Sequence, residues 1–389
     1  MNLIQCPHPS RRGPARKRGL SLVKALVAAT AGLTLVLTAE LSGQDAIAEL
    51  KSGEDIFQAA CVACHGRDGK GAQRSSVGFT THLPNFTDCA FATKEPDVDW
   101  SAIIHNGGPA RSFSRIMPSF REALTDEQID QVVEHVRKFC TSPAWPRGDL
   151  NLPRAMVTEK AFPENETVIT TSFNVRGAPG VGNDIVFERR FGAANQFEAT
   201  VPYGFVHDTG AWRSALGDIA LGYKRLLFHS LRTGSILSVS GEVTTPTGDT
   251  ARGTGNGTTI FETFASYGQI LPADSFVQFQ GGYEQPVHTD KAPKAAYART
   301  ALGRSFSQGG GLGRTWTPMV EFISDWDLVS GAKTNWDVLP QLQIPLSRRM
   351  HIMADVGVRV PVNNTADRPV QLMFYLMWDF ADGSLRQGW

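Results

Sequence analysis

The sequence predicts a chain of two folds in series: an all-α domain over residues 49–140 and, after a connector, an all-β antiparallel barrel of about twelve strands over residues 167–389. Three observations predict it. In the first part, apolar residues recur at helical spacing, most clearly at Ile129, Val132, Val133, Val136 and Phe139. From about residue 167 to 381 the period drops to two, in twelve segments of about 9–15 residues separated by turn signals. All six tyrosines and six of the eight tryptophans lie beyond residue 200, a confinement that the interfacial girdles of a membrane barrel would require.

A chain of 389 residues is long enough for two domains. Its 38 Lys and Arg balance 38 Asp and Glu, which argues against nucleic acid or any strongly charged partner. Residues 1–48 read as an export signal. Arg11, Arg12, Arg16, Lys17 and Arg18 form a basic start, and an apolar run follows from Ala25 to Ala39. That run is short of the roughly 18 residues of a spanning helix, although an uncleaved anchor is the alternative. Ala46-Ile47-Ala48 fits a cleavage site, with Ala39 as a second candidate. Gly13 and Pro14 do not support a twin-arginine reading of the Arg11-Arg12 pair, and Cys6 lacks the approach of a lipoprotein cysteine.

Four cysteines then remain. Cys61-Val62-Ala63-Cys64-His65 is the c-type haem attachment motif. Two thioethers at this spacing hold the two former vinyl groups, and the adjacent histidine lies under the iron. A zinc site would need a second ligand pair, and none follows. Cys89 and Cys140 bracket the rest of the domain. In an oxidising compartment they form either a disulfide or two buried thiols, and the bridge is the expectation.

Residues 49–140 resemble the class I c-type cytochromes. Gly53 and Phe57 precede the motif on a short helix, with Phe57 expected to face the final helix; Gly66, Gly69 and Gly71 open the next loop. Thr125-Asp126-Glu127-Gln128 reads as a capping box at the start of the final helix. The resemblance implies one haem c bound through Cys61 and Cys64, with His65 and Met117 as axial ligands and the final helix crossing the first. It implies Met117-Pro118 as the sixth-ligand position, with His82, His105 and His135 as competitors; His135 is expected on the solvent side of its helix. Pro84 is the candidate carbonyl to orient His65. Filling both axial positions leaves no open site on the iron, which argues for single-electron transfer and against enzyme chemistry.

Residues 141–166 form a connector containing Pro143, Pro146, Pro153 and Pro163. Beyond it the alternation is clean. Ile352, Ala354, Val356, Val358, Val360 and Val362 oppose Met353, Asp355, Gly357 and Arg359. Such strands, apolar outward and polar inward, suit an outer-membrane barrel; a soluble sandwich is the alternative, but its strands are typically about half as long. Loops after odd strands, such as 207–215, 247–257 and 287–295, are longer than those after even strands, such as 192–195 and 271–274. An even strand count then puts both barrel termini and the haem domain in the periplasm. The region loosely resembles outer-membrane proteins encoded in phenol-degradation gene clusters, described as transporters, in stretches such as Leu216–Tyr223.

The function expected is a mono-haem cytochrome that exchanges electrons with periplasmic redox partners and is anchored in outer-membrane lipid by its own barrel. Two alternatives stand beside it. One is a conduit across the membrane, similar in plan to the fused cytochrome–porins of iron-oxidising bacteria. The other is a haem-linked transporter.

Overall fold

The computed structural model describes residues 50–380 apart from Thr81, Thr209 and Asp367, so the expected export signal and the segment 381–389 lie outside the described residues. From Ser52 onward the chain forms one compact unit.

The helical part opens with three successive segments, Gly53–Ile56, the π-helical Phe57–Cys61, and Val62–His65, together α1. Ser52 caps it by accepting from the Asp55 amide at 3.1 Å. A single π turn within a helix is frequent at functional sites, and this one ends on the first cysteine of the pair. Short α2 (Arg74–Val77) and α3 (Cys89–Ala92) follow, then α4 (Asp97–Asn106) and α5 (Asp126–Arg137). The expected capping box is present: Thr125 Oγ1 accepts from the Gln128 amide, and Gln128 Oε1 accepts from the Thr125 amide at 3.0 Å. The apolar face of α5, Ile129, Val132, Val133 and Val136, is buried, as are Ile56 and Phe57 of α1. The two helices cross at Gly53, where a Cβ would overlap the Gln131 carbonyl oxygen.

Twelve antiparallel strands follow. They are β1 (Glu166–Arg176), β2 (Gly180–Phe191), β3 (Asn195–Asp208), β4 (Ala211–Leu216 and Ala220–Ser230), β5 (Ser235–Thr244), β6 (Ile260–Leu271), β7 (Ser275–Pro286), β8 (Ala295–Arg304 and Phe306–Ser307), β9 (Thr315–Asp327), β10 (Asn335–Pro345), β11 (Ile352–Pro361) and β12 (Val370–Asp379). Both segments of β4 pair with β3, and both segments of β8 pair with β9, so each is one interrupted strand. β1 pairs with β12 from Glu166↔Asp379 to Arg176↔Val370, which closes the sheet. Closure removes the sheet edges and excludes the sandwich. No helix among the described residues is long and apolar enough to cross a membrane.

The alternation fixes the faces. Val356, Val360, Phe374 and Leu376 point outward and are exposed, whereas Asp355, Tyr375, Gln278 and Gln280 point inward and are buried. One expected loop is corrected. Residues 207–215 mostly belong to strands, because β3 runs to Asp208 and β4 starts at Ala211, with Gly210 at φ +81° in a tight turn. The β1–β2 turn is equally tight. The connections 245–259, 287–294, 328–334 and 362–369 lie at the end away from the barrel's termini, while 308–314, as long as 328–334, lies at the end with them.

Within the connector, residues 149–165 run through the barrel interior, with Leu150, Leu152, Ala155, Ala161 and Phe162 buried. This irregular chain has backbone polar groups that must find partners, and inward side chains supply them. Glu321 of β9 accepts from three consecutive amides, Met156, Val157 and Thr158, at 2.6–3.3 Å, and from the Thr158 hydroxyl. Glutamines of β3, β7 and β10 bind the Glu164 amide, the Glu159 amide, and the Pro153 and Arg154 carbonyls. The segment's charges are paired as well: Arg154 with Glu166 and Glu188, Lys160 with Glu164 and Glu166, and Glu159 with Lys224 at 2.6 Å.

The helical part rests on the rim at the barrel's terminal end. His351 Nε2 lies 3.3 Å from the Glu95 carboxylate. Arg349 donates to the Ser112 carbonyl, and its guanidinium stacks 4.3 Å from the Phe113 ring centre. Arg111, paired with buried Asp99, donates to the Leu312 carbonyl at 3.0 Å.

Candidate haem site

Cys61, Cys64 and His65 sit on the last two turns of α1, within reach of one another because a helix returns to the same side every three or four residues. Gly66, at φ +72°, ends the helix. The chain then doubles back: the Ala72 amide donates to the Cys64 carbonyl at 2.8 Å and the Gly71 amide to the His65 carbonyl at 2.9 Å. The Phe86 amide donates to the Gly69 carbonyl, which lays the Phe86 ring against His65 with centroids 5.0 Å apart.

These groups have the character that haem attachment needs. Both cysteines are free thiols and half-buried. Burial, reinforced by neighbouring Cys64, pushes the Cys61 thiol up to about 12, so it is neutral. Burial lowers His65 to about 4, so its imidazole is neutral with a lone pair to give. His65 Nδ1 is buried with no hydrogen-bond partner. The expected Pro84 bond is therefore not made here; the Pro84 carbonyl lies instead against Gly71, 3.4 Å from where a Cβ would stand.

Met117 lies in the loop after α4. Its carbonyl accepts from the Gly108 amide at 3.0 Å, and its amide donates to the Ser114 carbonyl at 3.3 Å. Gly107, at φ +80°, and Gly108 permit this close return: a Cβ on Gly107 would meet the Met117 carbonyl at 3.1 Å, and one on Gly108 the Met117 Cβ at 3.2 Å. Of the competing histidines, His105 directs Nδ1 to Asn106 Oδ1 at 2.9 Å and Nε2 to Asp126 at 3.8 Å. His82 is exposed. His135 is half-buried rather than solvent-facing, its ring packed on Phe57 and Phe139 at 5.1 and 5.3 Å. The helix crossing accounts for this, since Phe57 covers that side of α5. A disulfide joins Cys89 and Cys140, with Cα atoms 5.1 Å apart, tying the start of α3 to the chain just after α5.

Sequence reasoning missed the packing behind the site. Phe86 contacts both His65 and Trp100, and the Arg137 guanidinium lies 4.4 Å from the Trp100 ring centre. Arg137 also binds Asp97 at 2.8 Å and the Glu95 carbonyl. A basic residue in the last turn of a helix gave only a generic signal.

Residues 48–136 match the family model described as cytochrome c oxidase, cbb3-type, subunit III. The chain is 27% identical over 131 residues to the chloroplastic cytochrome c6 of Chlamydomonas reinhardtii, covering 34% of this chain and 81% of that protein. Among solved structures, an outer-membrane channel from Pseudomonas putida F1 is similar at TM-score 0.42 and 10% identity, over 59% of this chain and all of that one. The KdgM porin is similar at 0.39 and 8%, and the β-domain of the Bordetella autotransporter BrkA at 0.39 and 14%, each over 56% of this chain and 99% of theirs. The N-terminal region is a cytochrome c domain, and it precedes a closed twelve-stranded antiparallel barrel. A domain of this kind carries haem c and transfers electrons.

Proposed function

We propose that the chain is a periplasmic mono-haem c-type cytochrome held at the outer membrane by its own barrel. One haem is attached through Cys61 and Cys64, with His65 and Met117 as axial ligands. Bound haem supplies a one-electron Fe(III)/Fe(II) couple, and a thioether opposite an imidazole raises its potential. The chain's own part is to hold a neutral imidazole at His65, to carry both thiols on the same helical turns, and to fix the Met117 loop against Gly107 and Gly108. The observation that carries the reading is the half-buried His65, its Nδ1 buried and without a hydrogen-bond partner, directly beside two half-buried free thiols in a cytochrome c domain. Were His65 and Met117 both to hold the iron, no position on it would remain for a substrate, which favours electron transfer to periplasmic partners.

The barrel supports the membrane part of the reading. Its outward positions carry large apolar side chains that are exposed around the cylinder, such as Phe187, Phe261, Val356 and Leu376, and an apolar band of this kind needs lipid. The haem domain packs on the rim at the terminal end, opposite the longer loops, which agrees with a periplasmic position. The interior is taken up by residues 149–165, which favours the anchored cytochrome over a conduit with its haem in the lumen.

Haem staining after denaturing electrophoresis tests the reading. Staining should persist in the native chain and be lost in Cys61→Ser/Cys64→Ser. A band that still stains in the double variant would overturn covalent attachment.

A further inference from the structure

The lumen segment reaches every wall of the barrel. Its hydrogen bonds and ion pairs engage β1 to β4, β7, β9, β10 and β12. The Val157 carbonyl accepts from Arg299 of β8. Leu150 and Phe162 pack with Ile236 of β5. Leu152 lies 2.9 Å from where a Cβ on Gly268 of β6 would stand, and Met156 Sδ 3.2 Å from that position on Gly357 of β11. Contacts to all twelve strands put this chain across the lumen and not along one wall. The inward glycines serve the same end, since a side chain at 268 or 357 would collide with the segment.

We propose that residues 149–165 are a resident plug, that the barrel is a latent channel kept closed by it, and that the Glu321 carboxylate is its principal latch. Three consecutive amides aimed at one carboxylate form an anion-binding concavity, here built by the plug around a residue of the wall. The three amide bonds to Glu321 are side chain to backbone, so the latch holds irregular chain without a β-ladder. Charge-assisted bonds of this kind are roughly twice as strong as neutral ones. The plug is continuous with the haem domain through residues 141–148, where the Arg190 guanidinium lies 4.7 Å from the Trp145 ring centre and 5.2 Å from that of Phe162. Displacing the plug therefore pulls on the segment that joins the haem domain to the barrel. This proposal rests on the lumen contacts alone and stands whether or not Met117 binds iron.

The test is the permeability of proteoliposomes to a small neutral sugar, measured by swelling. Three forms are compared: the full chain, Glu321→Gln, and a chain whose residues 150–163 are replaced by a Gly/Ser segment of equal length, each checked for heat-modifiable migration. The full chain should be closed, the replacement at least ten times more permeable, and Glu321→Gln between them. A full chain as permeable as the replacement, or a folded replacement as tight as the full chain, would overturn the plug. A permeable replacement beside a Glu321→Gln form as tight as the full chain would overturn the latch. Should the replacement fail to fold, Ala155→Cys serves instead, because Ala155 is buried beside Phe276, Ala301 and Met319. A water-soluble maleimide should label it at least tenfold more slowly in the folded barrel than after heating, and equal rates would refute the plug.

Discussion

The haem domain and the barrel bury opposite chemistries. In the haem domain α1 and α5 turn Ile56, Phe57, Ile129 and Val132 inward, and the few buried charges, Asp99, Arg111 and Arg137, stand apart from that apolar contact. In the barrel Glu188, Lys224, Glu321 and Asp355 are inside and the large apolar side chains are outside. The same alphabet serves both because the surroundings differ: water around the first, lipid proposed around the second. The lesson is that burial alone says little about polarity. Buried charges are tolerated where partners are built for them, as with the latch on Glu321 and the pairs of Arg154 and Lys160.

The largest way to break this comparison is to put a charge on the lipid side. Val356 lies mid-strand in β11, between Leu342 and Phe374, and faces outward. Val356→Arg should destabilise the barrel by about 2–4 kcal/mol near the bilayer centre, read as the urea midpoint for loss of heat-modifiable migration. The inward control is Glu242→Arg. Glu242 pairs with Glu262, which in turn pairs with Glu284, so a cation there relieves like-charge opposition and should leave the midpoint within error or raise it. Gly357→Arg is no mild control, although Gly357 faces the lumen, because Gln341 and Met156 already fill the space before it.

Next in size, Gly53→Ala tests the packing of the haem domain. The added methyl meets backbone at the α1–α5 crossing, not a movable side chain. It should cost about 1–3 kcal/mol and lower the haem domain's melting temperature while barrel migration stays unchanged. A lowered barrel midpoint would show that the two parts unfold as one. The smallest structural effect is expected from Met117→Ala. It should leave folding intact, abolish the weak near-infrared sulfur-to-iron band of the oxidised protein and lower the midpoint potential. An unchanged spectrum would transfer the sixth position to a histidine.

What could be read from the sequence follows from what is local. The attachment motif is five residues long because its spacing answers to the porphyrin, and the cap at Thr125 is equally compact. Strands were legible through their period of two: twelve segments are expected between about residues 167 and 381, and twelve strands run from Glu166 to Asp379. The hairpin at 207–215 was not, since Gly210 and its polar neighbours resemble an open loop until strand pairing is known. The plug was hidden for a deeper reason. An irregular, proline-bearing segment has no period, and its partners stand up to 221 residues away, as with Arg154 and Tyr375. One signal was available. Gln196, Gln278, Gln280, Gln341 and Gln343 occupy inward positions, and amide side chains so placed are suited to binding backbone. At the haem site, the buried ring contacts of Phe86 were likewise set by a fold-back that no local pattern announced.

The central claim is that the barrel spans the outer membrane with its haem domain in the periplasm. Labelling of an Ala251→Cys variant on intact cells tests it most directly, since Ala251 is exposed in the longest loop, at the end opposite the haem domain. A membrane-impermeant maleimide should label it on intact cells as fast as on detergent-extracted protein, with the haem domain protected from added protease until the outer membrane is opened. Labelling of Ala251→Cys only after the membrane is opened, with the haem domain cleaved on intact cells, would contradict the account.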